Sequence, residues 1–161
     1  MAKTEDVRVE GLEELAKALR ELPKRLARNG LRASVYAGAK VIRDEARLKA
    51  PVATRQLGPN QQPPGTLKRS IIMKQIPEQS DAQKQVFFVA VRHGKKYRNQ
   101  GKKGNLSQDA YYAHFVEFGT VKMSPQPFMR PAFEGKKVEA VDAIKDKLAE
   151  RVEAAAQDLK K

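Results

Sequence analysis

The chain has 161 residues, 40% of them hydrophobic and only 6% aromatic, enough for one ordinary domain whose core is built mainly from Leu, Val, Ile and Ala. Its 32 Lys and Arg outnumber 19 Asp and Glu, a formal net charge of +13 that attracts polyanions such as nucleic acid or acidic protein surfaces. The absence of cysteine excludes disulfides, thiol nucleophiles and thiolate metal sites, and with no membrane-length apolar run and no apolar signal core in MAKTEDVRVEG, folding in a cytoplasm is expected.

Residues 6–10, DVRVE, alternate apolar and charged side chains as a short strand does. From Gly11 the pattern turns helical, with Leu12, Leu15, Leu19 and Leu22 recurring at spacings of three and four. Pro23 can open a helix but cannot sit inside one, which predicts a first helix near 11–22 and a second near 24–49. On the second, Leu31, Val35, Ala39, Ile42 and Ala46 share a face, with Arg and Lys on the other, and Ala50-Pro51 ends it.

Residues 51–66 hold four of the nine prolines and two glycines, which predicts a loop, mobile near 52–66. Two strands are predicted next, Leu67–Ile76 and Gln85–Arg92, the latter carrying VFFVAV, the most β-prone run of the chain. The polar stretch 77–84 joins them as a hairpin-type connection. Residues 93–109 are rich in Gly, Lys and Asn and predict a second long, mobile loop.

Tyr111–Phe133, YYAHFVEFGTVKMSPQPFMRPAF, concentrates aromatic, glycine and proline residues. Its aromatic run stops at Gly119-Thr120, and Pro127-Phe128 and Pro131 fix the path beyond, so it reads as a shaped corner presenting large apolar side chains. Val138, Val141, Ile144, Leu148, Val152, Ala155 and Leu159 then mark one stripe of a final helix. The sum is a single α+β domain over 1–161, with long N-terminal and C-terminal helices packed on a small antiparallel sheet.

Little in this pattern supports catalysis. His114 and Glu117 lie three apart and share a helix face, but a zinc site needs three or four ligands and the other histidine, His93, adjoins a basic loop. A hydrogen-bonded structural pair is the expectation. GKKYRNQGKKG over 94–104 lacks the GxxxxGK[ST] spacing of a phosphate loop. Its basic residues, with Arg92, Lys95, Lys96, Arg98, Lys102 and Lys103 and no acid among them, form either a DNA or acidic-partner contact, with Tyr97 available for stacking, or a solvated arm. No catalytic residue, cofactor, metal or small-molecule substrate is expected. The helical stripes read chiefly as core. For Phe118, Phe128, Met129 and Phe133 an interface reading competes with it, because apolar anchors beside Pro and Gly corners are common at obligate interfaces.

The order and spacing of these pieces carry a resemblance. Gly11-Leu12 and Leu15, Leu22-Pro23, ARLKAP at 46–51 with Thr54, Leu67 with Ser70-Ile71, then Tyr112-Ala113, Val116–Thr120 and Pro127–Phe133 together resemble the lambdoid "gene product ten" type of minor tail component or neck protein of long-tailed bacteriophages. Here the short turn of that pattern is expanded by Gln56–Gly65. The resemblance implies a non-enzymatic virion protein of the head–tail junction, assembled in the bacterial host cytoplasm. It implies a ring of copies, sixfold first and twelvefold as the alternative, contacting head-completion and tail-tube or terminator proteins, with genomic DNA in the lumen. The subunit interface would be built from Phe118, Gly119, Thr120, Pro127, Phe128, Met129, Arg130, Pro131 and Phe133, or from the helix they brace. A tail terminator capping the tube and a stand-alone basic nucleic-acid-binding module are the competing expectations.

Overall fold

The computed structural model describes residues 12–21, 24–53, 62–94 and 109–158. Helix α1 covers Leu12–Glu21 and α2 covers Lys24–Lys49, as the punctuation by Pro23 and Pro51 predicts. A short helix α3, Thr66–Ser70, leads directly into strand β1, Ile71–Gln75, which pairs with β2, Phe87–Val91, in a two-stranded antiparallel sheet. Helix α4, Ala113–Phe118, and the long helix α5, Met129–Asp158, complete the α+β architecture. The strand expected over 6–10 lies outside the described residues.

The predicted strand Leu67–Ile76 begins as a helix instead. Local side-chain bonds explain this: Thr66 Oγ1 donates to the Pro63 carbonyl at 2.6 Å, and Ser70 Oγ donates back to the Thr66 carbonyl at 2.7 Å. Gly65, at φ +77°, turns the chain into that helix in a conformation L-residues rarely adopt. The connection between the strands holds a single 3₁₀ turn at Pro77–Gln79.

Two compact units divide the chain. The first combines Met1–Val41, Gln75–Phe87 and Lys137–Lys161. Within it, α2 presents small residues to α5: Ala27, Gly30, Ser34 and Gly38 are buried. A Cβ on Gly38 would stand 2.5 Å from Ile144 Cγ1 and 2.7 Å from the Ala140 carbonyl oxygen, while one on Gly30 would meet Arg151 Cβ at 3.5 Å. That pairing runs the two helices antiparallel at close range. Ala140, Leu148 and Ala155 are the buried positions of α5 here, whereas Val138 of the predicted stripe is exposed. Tyr36 meets Phe87 edge-on, with ring centroids 6.1 Å apart.

The second unit combines Ile42–Lys74 and Phe88–Lys136. Its core gathers Ala46 and Ala50 of α2, Leu67 of α3, Ile71 of β1, Ala110, and Phe128 and Ala132 at the start of α5, with Val89, Val91, Tyr112 and Val116 packed against it. Arg47 forks onto the Ile71 carbonyl oxygen through Nε at 3.0 Å and a terminal nitrogen at 2.7 Å, tying α2 to β1. Burial and the neighbouring Arg43 both disfavour a further positive charge there and lower the affinity of Arg47 for its proton, against the opposing pull of Asp44.

Candidate assembly surface

The corner between α4 and α5 is built from three cooperating residues. A helix leaves its first backbone N–H groups without partners. At α5 the Glu117 carboxylate supplies them from a distance: Oε2 accepts from Phe128 N–H at 2.8 Å and Met129 N–H at 3.0 Å, and Oε1 from Arg130 N–H at 3.1 Å. Burial favours the neutral acid, but these three bonds and the Arg130 charge prevail and hold the carboxyl below the usual glutamate range. The negative charge also complements the positive end of the α5 dipole.

Gly119 then turns the chain. Its φ of +77° with ψ of −178° lies in territory reserved for glycine, and a Cβ would approach the Met123 carbonyl oxygen to 2.8 Å and Pro125 N to 2.9 Å. Thr120 follows and closes a tight turn with Met123, donating N–H at 2.9 Å and accepting at 3.2 Å. Val121 and Lys122 form its tip. Gln126 N–H returns to the Val116 carbonyl at 2.8 Å, so the excursion begins and ends on α4.

The predicted interface residues separate by environment. Phe118 is 70% exposed and Phe133 55% exposed, and Val121 at the turn tip is fully open at 106%. Thr120, Pro127 and Arg130 are exposed as well, and Gly119, Met129 and Pro131 are half-buried. Phe128 is different: only 1% exposed, it is the largest fully buried side chain of the core, so its ring cannot also anchor a neighbouring subunit. Phe128 and Ala132 lie one helical turn apart on the inward face of α5, and Phe133 lies a further ~100° round the helix. Periodicity within 127–133 supports this assignment only once the phase of α5 is known. Val121, missed as a candidate, is marked in the sequence by its place at the tip of a turn that follows a glycine.

Beside α4 runs an open groove of about 660 Å³, lined by Val91, Tyr111, Phe118 and Met129 with His93 and His114 at its polar side. Glu117 borders it, yet its oxygens face the α5 N–H groups rather than His114, whose ring lies 3.8 Å from that of Phe115. The expected His114–Glu117 pair is therefore replaced by a helix cap. A carboxylate engaged in this way, with lowered proton affinity, is a poor general base. Among the described residues no three His, Asp or Glu side chains come together as metal ligands, and no helix is long and apolar enough to cross a membrane.

Of the basic-loop candidates, Arg92 is described: its N–H donates to the Ser70 carbonyl at 2.9 Å and its carbonyl accepts from Ala110 N–H at 3.0 Å. Asp109 Oδ1 receives Gly94 N–H at 2.8 Å, which joins the two ends of the loop. Lys95, Lys96, Arg98, Lys102 and Lys103 lie outside the described residues.

No curated protein and no solved structure matches the chain. A family model described as "Bacteriophage HK97-gp10, putative tail-component" matches residues 13–119, from α1 to the glycine of the corner, and ends before Pro127–Phe133. That span is well over half of the 161 residues, and the chain belongs to the HK97-gp10-like family of bacteriophage tail components.

Proposed function

We propose that this tail component is a virion protein of the head–tail junction whose copies close into a ring between the capsid connector and the tail tube. The carrying observation is the family match over 13–119. The exposed apolar trio Phe118, Val121 and Phe133 supports the interface part of the reading, since side chains of this kind left open on a monomer mark association surfaces. A closed ring needs a heterologous contact, one patch meeting a different patch on the next copy. The corner supplies the projecting patch, and the basic loop 92–104 faces the lumen or an acidic neighbour. Six copies per ring is the reading, after the sixfold symmetry of tail tubes.

The double variant Phe118→Asp/Phe133→Asp tests this. It is expected to keep the wild-type circular dichroism and melting point, to lose rings in negative-stain images of the purified protein, and to give no infectious particles. Tailed, infectious particles carrying the variant would remove the corner from the interface. Wild-type protein found at the distal end of assembled tubes, and not between tube and capsid, would assign it to a terminator.

The charge of +13 favours a second reading, a stand-alone nucleic-acid-binding module. It predicts tight, salt-sensitive binding by the isolated monomer and no protein in purified particles.

A further inference from the structure

The two long helices divide charge in opposite ways. Helix α5 carries six basic and seven acidic residues, interleaved as a solvated helix requires, with Lys147 and Glu150 paired at 2.6 Å. Helix α2 carries eight basic and two acidic residues, and both acids, Asp44 and Glu45, fall near its C-terminal end. Its first turn holds no acid although the helix dipole favours one there by about 0.3–1 kcal/mol. Arg28 and Arg32 are like charges at i, i+4, an arrangement that weakens a helix by about 0.2–0.5 kcal/mol. Helix stability therefore does not explain this distribution.

Arg28, Arg32, Tyr36 and Lys40 are all exposed, and one-turn spacing places them within roughly 120° of the helix circumference. They form a gently winding ridge opposite the small-residue face that meets α5. Tyr36 is 47% exposed and is steadied by its edge contact with Phe87, so its hydroxyl stands among the cations on a fixed ring. Asp81 is the acid felt at the Arg28 end, but its Oδ1 already accepts Gln83 and Lys84 N–H at 2.7 Å each. Beyond Lys40 the cations are engaged, Arg43 with Asp44 at 2.6 Å and Arg47 with the Ile71 carbonyl.

We infer that the Arg28–Arg32–Tyr36–Lys40 ridge is a contact surface for the phosphate backbone of double-stranded DNA, independent of loop 92–104 and of ring formation. Arg28 and Arg32 one turn apart and Lys40 two turns further on, with the Tyr36 hydroxyl as a donor between, present positive charge along one side of the helix to a run of phosphates. Contacts to phosphate carry no sequence information, so binding through this ridge is indifferent to sequence.

The test uses the full chain and a fluorescent random-sequence duplex, with affinity followed across a salt series. The triple variant Arg28→Glu/Arg32→Glu/Lys40→Glu is compared with Lys68→Glu/Lys74→Glu/Arg151→Glu, which changes exposed cations elsewhere and alters net charge equally. The ridge variant is expected to lose about tenfold or more in affinity, and its log K against log salt slope to flatten by about 0.9 per contact removed. The control keeps most of both. Tyr36→Phe leaves the slope unchanged and weakens binding by about tenfold, the loss of one hydrogen bond to a charged phosphate oxygen. Equal losses in the two triple variants would reduce the effect to net charge and overturn the inference. So would unchanged binding by the ridge variant, and if that variant then failed to enter particles, the ridge would meet an acidic protein. Rings that form normally while the ridge fails to bind DNA would leave the junction reading intact, and DNA binding without rings would leave the ridge intact.

Discussion

Glu117 shows how much of a corner one side chain can hold. Three backbone N–H groups converge on its carboxylate, so Glu117→Gln, which retains one acceptor oxygen and no charge, is expected to cost about 1–2 kcal/mol in chemical denaturation at neutral pH. Because the folded-state proton affinity is lowered, this contribution is complete above the ordinary glutamate value and disappears as pH falls through the lower folded one. The wild type and the variant should therefore converge in stability below about pH 4; a gap that stayed constant down to pH 2 would mean the charge is irrelevant. Phe128 sets a second test at this scale. Phe128→Ala is expected to destabilise by about 3–5 kcal/mol and Phe128→Asp to prevent folding, whereas Phe133→Ala stays within ~0.5 kcal/mol. The sequence presents these two phenylalanines as equivalents beside prolines, and only the docking phase of α5 distinguishes them.

At the scale of elements, the helix limits were readable because proline punctuates them: α2 starts after Pro23 and ends before Pro51. Helix α3 was not, because a five-residue helix has too few positions to show a period, and its cause is hydroxyl bonding by Thr66 and Ser70 rather than apolar spacing. The corner was legible as a corner from EFGT and PFMRPAF. That Glu117 would serve as a cap eleven residues ahead was not, since no local pattern links a carboxylate to so distant a helix start. Two glycines give a matched test of helix packing. Gly135→Ala meets no atom within 4 Å and should stabilise α5 by up to about 1 kcal/mol through helix propensity. Gly38→Ala gains the same propensity but drives its methyl against a backbone carbonyl at 2.7 Å, and is expected to lower the melting point. Equal gains at both positions would mean that α2 and α5 are free to separate.

For the whole molecule, a net charge of +13 leads to the expectation of a polyanion partner, and the structure shows where part of that charge is concentrated. The ion pairs Arg43–Asp44, Lys49–Glu45 and Lys147–Glu150 lie at or near the surface and add little to stability. With +13 on 161 residues, self-repulsion outweighs them, so raising sodium chloride from about 10 to 150 mM, which shortens the Debye length from ~30 to ~8 Å, should raise the melting temperature. The Arg28→Glu/Arg32→Glu/Lys40→Glu variant should show a smaller rise. A melting temperature that fell with salt would show that attractive pairs dominate instead.

The turn at Thr120–Met123 is fastened at its base, by Gln126 N–H on the Val116 carbonyl and by the Glu117 clamp on α5. Thr120, Val121, Lys122 and Met123 between those fastenings are all solvent-facing. Exchanging the tip side chains Val121 and Lys122 is therefore expected to change what the corner offers a neighbour while the scaffold that presents them stays the same.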